Sequence, residues 1–223
     1  MSQPAKQRKS KVFLVDDHPL VREHLTALIE AQADLAVCGD AADAPTALSL
    51  ITRQAPDLVI LDISLKQSNG LELIKNLKEL WPKLPVLVLS MHDEMLYAER
   101  SMRAGAAGYV MKREATDKVL EAIRAVLQGS HYFSNAVNAM LAQKLVQGAG
   151  DQPTAIAALS DRELEVFQLL GRGYSTRQIS EQMNVGFKTV HAYCARIREK
   201  LNLANIHELV FHAVRWHESQ QPR

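Results

Sequence analysis

The chain has 223 residues, enough for one large domain or two smaller ones, and its 47% hydrophobic content is enough to bury a sizeable core. Lys plus Arg number 26 against 25 Asp plus Glu, which excludes a grossly basic chain but not a basic face on one part of it. The two cysteines, Cys38 and Cys194, make neither a disulfide framework nor a paired metal motif, and no run reaches the roughly 20 apolar residues of a membrane span. In chain order the polar, basic MSQPAKQRKS comes first. With no apolar stretch behind it long enough for a signal peptide, it reads as a disordered tail over residues 1–10 of a cytoplasmic protein.

From Lys11 to about Gln128, the apolar runs KVFLVD, LAVCG, PDLVILD, PVLVLS and AGYVMK alternate with helical patterns. In the first of these, Val21, Leu25, Leu28 and Ile29 fall at helical spacing between Leu20 and Ala33. Strand then helix, repeated five times, predicts an α/β domain: a doubly wound five-stranded parallel sheet with helices on both faces. Right-handed crossovers put every strand's C-terminal end on one edge. There the first strand delivers Asp16 and Asp17, the third Asp62, the fourth Ser90 and the fifth Lys112, while the second contributes nothing. Asp62 alone would read as a loop-opening cap. Convergence of the others on the ligand edge of an open sheet points instead to a pocket. Clustered carboxylates need a cation, and oxygen ligands without His or Cys favour Mg²⁺. Mg²⁺ shares phosphate oxygens readily and a lysine adds a point charge, so Asp62 is read as the nucleophile on a phosphoryl group, forming an aspartyl phosphate.

After Gly129 the strand signals vanish. Asn135 to Val146 reads as a helix, QGAGDQPTAIAA as a linker, and all beyond as helices. The expected divisions are 11–131 for the α/β domain, 132–154 for helix and linker, and 155–223 for an all-α helix-turn-helix domain. Capping boxes run from Ser160 to Glu163 and from Ser175 to Gln178, with the first helix stopping at Gly171 and Gly173. The stretch YSTRQISEQM, a turn over 184–186 and a longer helix from Phe187 have helix-turn-helix spacing. On that longer helix Phe187, Val190, Tyr193, Cys194, Ile197 and Leu201 make an apolar face. Opposite lie Lys188, His191, Ala192 and Ala195, flanked by Arg196, Arg198 and Lys200, a face that suits either solvent or a major groove. Ile206, Leu209, Val210, Ala213 and Val214 give the last helix an apolar side for the core or a partner. His207 and His212 sit five apart, which is the wrong spacing for a zinc-protease pair.

The segments LVDDHPLVR, LDISLKQSNGLEL, LSMHDE and AGAAGYVMKRE resemble the receiver domain of two-component response regulators. The segment LSDRELEVFQLLGRGYSTRQISEQMNVGFKTVHAYCARIREKLNL resembles the LuxR-type DNA-binding domain, and the pair resembles the NarL/FixJ class. The resemblance implies that Asp16, Asp17, Asp62 and the backbone carbonyl of Ser64 hold Mg²⁺, and that a sensor histidine kinase phosphorylates Asp62. It further implies that Lys112 contacts the phosphoryl group and that Ser90 and Tyr109 form a switch pair, with Ser64 and His92 flanking the path of the hydrolytic water. Ser175, Thr176, Arg177, Lys188, His191, Ala192, Ala195, Arg196 and Arg198 are the implied contacts to double-stranded DNA. A homodimer on phosphorylation is implied as well, with no membrane partner. Beyond its own phosphorylation no catalysis is expected, so the chain is read as a regulator and not as an enzyme. An aspartate-nucleophile phosphotransferase would want an acid where Ser64 stands, and a vestigial receiver would not keep the whole acidic set. Departures from the family pattern are Lys66 for a frequent proline, His191 for a basic residue, Tyr193 for a histidine and Ile206 for a common arginine.

Overall fold

The computed structural model describes residues 8–65, 68–114, 116–147 and 155–219. Residues 1–7 of the tail expected over 1–10, Lys66 and the linker residues 148–154 lie outside these; the expected tail is corrected at its end, where Arg8 and Lys9 hydrogen-bond Asp57 and Gln32 and Ser10 opens the first strand. Strands and helices alternate as the apolar rhythm predicts: β1 Ser10–Val15, α1 Pro19–Glu30, β2 Leu35–Ala41, α2 Ala44–Gln54, β3 Leu58–Leu61, α3 Gly70–Leu80, β4 Val86–Ser90, α4 Glu94–Ala104, β5 Gly108–Met111 and α5 Thr116–Leu127. All strands pair in parallel in the order β2-β1-β3-β4-β5. Because β3, β4 and β5 are buried along their whole length, their sequences are continuous apolar runs with no alternation. On one face Val12, Leu14, Ile60, Leu87 and Val110 pack with Leu25 and Ile29 of α1 and Ile123 of α5. The order of connection reverses between β1 and β3, so a crevice opens at the C-terminal ends of those two strands.

The free edge of β5 is covered by the chain's own return. Tyr109 N–H donates to the Tyr132 carbonyl at 2.9 Å and Tyr132 N–H to Ala107 at 3.0 Å. Gly108 permits that approach, since a Cβ there would lie 2.8 Å from the Tyr132 oxygen. α6 follows over Asn135–Gln147, and the chain divides into two compact units inside it, between Leu141 and Ala142.

The second unit holds α7 Asp161–Gly171, α8 Thr176–Gln182, α9 Phe187–Leu201 and α10 Ile206–Ser219. Both predicted capping boxes are formed. α7 ends through Gly173 at φ +85°, and Gly171 lets α10 come so close that a Cβ would stand 2.5 Å from the Ala213 oxygen. The α8–α9 turn uses Asn184 at φ +51° and Gly186 as the N-cap. The core contains Leu164, Phe167, Leu170, Ile179, Val190, Cys194, Ile197, Leu209 and Ala213. Leu209 and Ala213 therefore serve the core and not a partner. One expectation is corrected: Phe187 does not join the core face but is 51% exposed, its ring lying against His191 one turn on.

Candidate phosphoacceptor site and nucleic-acid interface

Asp16 and Asp17 follow the last residue of β1, Asp62 that of β3 and Lys112 that of β5, while Ser90 closes β4. Since these strands are neighbours, their ends meet. Asp62 N–H donates to the Val15 carbonyl and Lys112 N–H to that of Ser90, each at 2.8 Å. Asp16, Asp17 and Asp62 are all buried. The Lys112 ammonium lies 2.5 Å from Asp16 Oδ2 and 2.6 Å from Asp62 Oδ2. His18 Nδ1 lies 2.8 Å from Asp17 Oδ1 and 3.2 Å from Asp16 Oδ1. The other oxygen of Asp62 accepts Ser64 N–H at 3.1 Å.

Burial pushes the Asp62 carboxyl above its usual range; Lys112 opposes the rise and Asp16 adds to it. Burial works against the Lys112 ammonium, but Asp62 and Asp16 outweigh it and raise its pKa. A single ammonium does not balance the charge of Asp16, Asp17 and Asp62 together. One ligand atom from each of Asp16, Asp17, His18 and Asp62 falls within 4.8 Å of the others, a cluster compatible with one divalent cation and the only such group among the described residues. The oxygen donors suit a hard ion; His18 stands at the rim.

The walls are built by backbone economy. At Gly70, the first residue of α3, a Cβ would sit 2.5 Å from Ile63 Cα and 2.8 Å from the Asp62 carbonyl, so no larger residue fits behind the Asp62 loop. Across the mouth Ser64 Oγ lies 2.7 Å from His92 Nε2, and the His92 ring stacks on Tyr97 at 4.5 Å. Tyr109 is buried and its hydroxyl donates to the His92 carbonyl at 2.9 Å. Burial pushes that phenol far above its usual range, against a hydrogen bond with the equally buried Ser90. The five residues expected at the strand ends, with Tyr109 and Ser64, thus share one site. Sequence reasoning missed Arg22, which donates to the Asp16 carbonyl at 2.5 Å and to Asp40 of β2 at 2.6 Å. The second strand does contribute, then, by anchoring the acidic turn through Asp40; an arginine one helical turn past the acids was the only signal. A surface groove of about 980 Å³ lies at the opposite edge of the sheet around Ile51, Trp81 and Pro85, away from the acids.

On α9 Lys188, His191, Ala192, Ala195 and Arg196 are exposed and Arg198 is half-buried. Lys200, expected to flank this face, turns instead to α7, where its ammonium lies 2.7 Å from Glu163 Oε2 and 3.2 Å from the Ala158 carbonyl. Arg196 stands 3.9 Å from Glu163 and lies over the Tyr193 ring at 5.2 Å. Glu163 also accepts Ser160 N–H at 2.8 Å. Its burial favours the neutral acid, but Lys200 and Ser160 prevail and hold the carboxyl below its usual range. On α8, Ser175 is the N-cap, bonded to Gln178; Thr176 is half-buried, and exposed Arg177 pairs with Glu181 at 3.5 Å. Both cysteine thiols are pushed up by burial, consistent with packing and not with reactivity. No described helix is long and apolar enough to cross a membrane.

Comparison with known proteins agrees with this arrangement. Residues 12–124 match the response regulator receiver domain and residues 157–213 the bacterial regulatory proteins of the luxR family. The chain is 36% identical over 201 residues to the virulence factors putative positive transcription regulator BvgA of Bordetella pertussis, covering 90% of this chain and 95% of that one. It is 31% identical over 210 residues to the oxygen regulatory protein NreC of Staphylococcus carnosus, covering 92% and 97%. A LuxR-family two-component response regulator from Aurantimonas sp. SI85-9A1 superposes with TM-score 0.58 at 33% identity, over 62% of this chain and 99% of that one. RcsB from Salmonella enterica serovar Typhimurium shares the fold, with TM-score 0.66 at 24% identity over 92% and 98%. With a receiver sheet ending in an acidic crevice and, later in the chain, a helix-turn-helix unit, this chain belongs to the response regulators that join a receiver domain to a LuxR-type DNA-binding domain.

Proposed function

We propose that Asp62 is the phosphoacceptor, taking a phosphoryl group from the phosphohistidine of a sensor kinase in the cytoplasm, and that the chain acts as a phosphorylation-dependent regulator and not as an enzyme. The observation that carries this most is the Lys112 ammonium drawn between the buried carboxylates of Asp16 and Asp62. The site attracts a cation and has too little positive charge of its own. Asp16, Asp17, Asp62 and the main-chain carbonyl of Ser64 would hold Mg²⁺, which when bound offsets the charge of acids and phosphoryl oxygens together. An Asp62 oxygen attacks phosphorus as the bond to the histidine nitrogen breaks. Lys112 then turns its point charge from the carboxylates to a phosphoryl oxygen. Ser90 and Tyr109 already face inward, so the added group would favour this buried arrangement over an open one as a shift of populations.

α9 would enter the major groove, with Lys188, Arg196 and Arg198 on phosphates, His191, Ala192 and Ala195 facing base edges, and Ser175, Thr176 and Arg177 of α8 on the flanking backbone. A two-fold homodimer of the phosphorylated form would prefer an inverted repeat with half-sites about one helical turn apart. The RcsB structure that shares this fold is of that protein bound to promoter P1flhDC in the presence of phosphomimetic BeF₃⁻. For this chain the order proposed is phosphoryl group first and DNA second.

Selection of duplexes from a random pool by the acetyl phosphate-treated chain tests the reading. Phosphorylated protein should enrich a two-fold repeat and bind it more tightly than untreated protein does. Asp62→Asn should show no gain. Equal binding by all of these would reject phosphorylation-dependent recognition.

A further inference from the structure

On α9 the core side is filled by Val190, Cys194 and Ile197, all buried, and packing has no need of Phe187. Yet this large apolar ring opens the helix at 51% exposure, next to the N-cap Gly186, which makes no side-chain cap. Its ring stands at 67° to the His191 imidazole with centroids 4.4 Å apart, an edge-on pair that restricts both side chains. Around the pair lie exposed Lys188, a cation suited to phosphate, and the small side chains Ala192 and Ala195, which let a backbone come near.

A helix that reads a major groove brings its N-terminal residues to the base edges. There a phenyl ring can neither donate nor accept a hydrogen bond, and the one apolar group on offer is the C5 methyl of thymine. Cytosine in the same place would leave its amino group desolvated and unpaired. We infer that Phe187 is a specificity-determining residue: its ring covers a thymine methyl beside the base that His191 faces, and it braces the imidazole for that contact. The inference rests on α9 entering the groove as proposed above.

The test uses the full phosphorylated chain and a duplex selected by it from a random pool, with each thymine replaced in turn by deoxyuridine so that only a methyl is removed. At one thymine per half-site the replacement should weaken the wild type about fourfold, the worth of one buried methyl group. Phe187→Ala should bind the thymine and uridine duplexes alike, while Phe187→Leu should keep most of the discrimination. Equal loss on uridine substitution in wild type and Phe187→Ala, or no loss at any thymine, overturns the inference while leaving groove reading intact. If wild type and Lys188→Ala bind selected and scrambled duplexes equally, the placement of α9 in the groove falls, and the role of Phe187 with it.

Discussion

Each unit of the molecule sets a carboxylate that is only 3% exposed against a lysine: Asp62, beside Asp16, with Lys112 in the receiver, and Glu163 with Lys200 in the output unit. The two respond oppositely. Burial lifts Asp62 despite Lys112, and Asp16 adds to the rise. Glu163 is also opposed by burial, but Lys200 and the Ser160 capping bonds bring it below its usual range. Glu163 meets two cations, Lys200 at 2.7 Å and Arg196 at 3.9 Å, whereas Asp62 shares a single ammonium with Asp16. A buried acid is therefore not in itself a reactive site. What distinguishes the two is whether the surroundings satisfy the charge, as at Glu163, or leave it in want of a cation, as at Asp62.

The contrast breaks most visibly at the lysines. Lys112→Met should cost the receiver about 3 to 5 kcal/mol in EDTA, because it strips buried carboxylates of their counter-charge. Mg²⁺ should recover part of that loss. Urea unfolding followed by Trp81 fluorescence in a Trp216→Phe background measures it, and a Mg²⁺-insensitive loss would deny that the acids accept a cation. Lys200→Met should cost the output unit less than about 1 kcal/mol, since its side chain is 38% exposed and Glu163 keeps the Ser160 bond. Trp216, which packs on Phe167 at 5.7 Å, reports this in a Trp81→Phe background.

The pH dependence sharpens the same comparison. Because the folded pKa of Glu163 lies below the ordinary value, its stabilising contribution is complete above the unfolded glutamate pKa of about 4.3 and is lost as pH falls through the lower folded value. Glu163→Gln should flatten that part of the acid limb seen by Trp216 and leave the curve seen by Trp81 unchanged. The smallest effect is expected at the mouth of the receiver site. If the 2.7 Å contact of Ser64 with His92 obstructs the hydrolytic water, His92→Ala should shorten the phosphoryl half-life by a few-fold. A half-life that is unchanged or longer would count against obstruction.

Much of this was legible because it depends on period and on strand ends. Continuous apolar runs gave the parallel sheet, and the polar residues at the ends of the first, third, fourth and fifth runs gave the pocket, since parallel strands must end on one edge. The capping boxes were equally local, a matter of three-residue spacing. What escaped depends on contacts distant in sequence. Arg22 reaching Asp40, Lys200 reaching Glu163 and Tyr132 covering β5 join positions that no period relates. Phe187 was misassigned for a different reason: helical spacing places it near the apolar stripe, but a first-turn residue can pack along the helix on His191 instead of beneath it.

The most direct measurement is the intact mass of the protein after incubation with acetyl phosphate. Wild type and Glu163→Gln should each gain one phosphate in Mg²⁺ and none in EDTA, and Asp62→Asn should gain none in either. Labelling of Asp62→Asn to the wild-type level, or full labelling of the wild type in EDTA, would contradict the assignment of Asp62 as the cation-dependent acceptor.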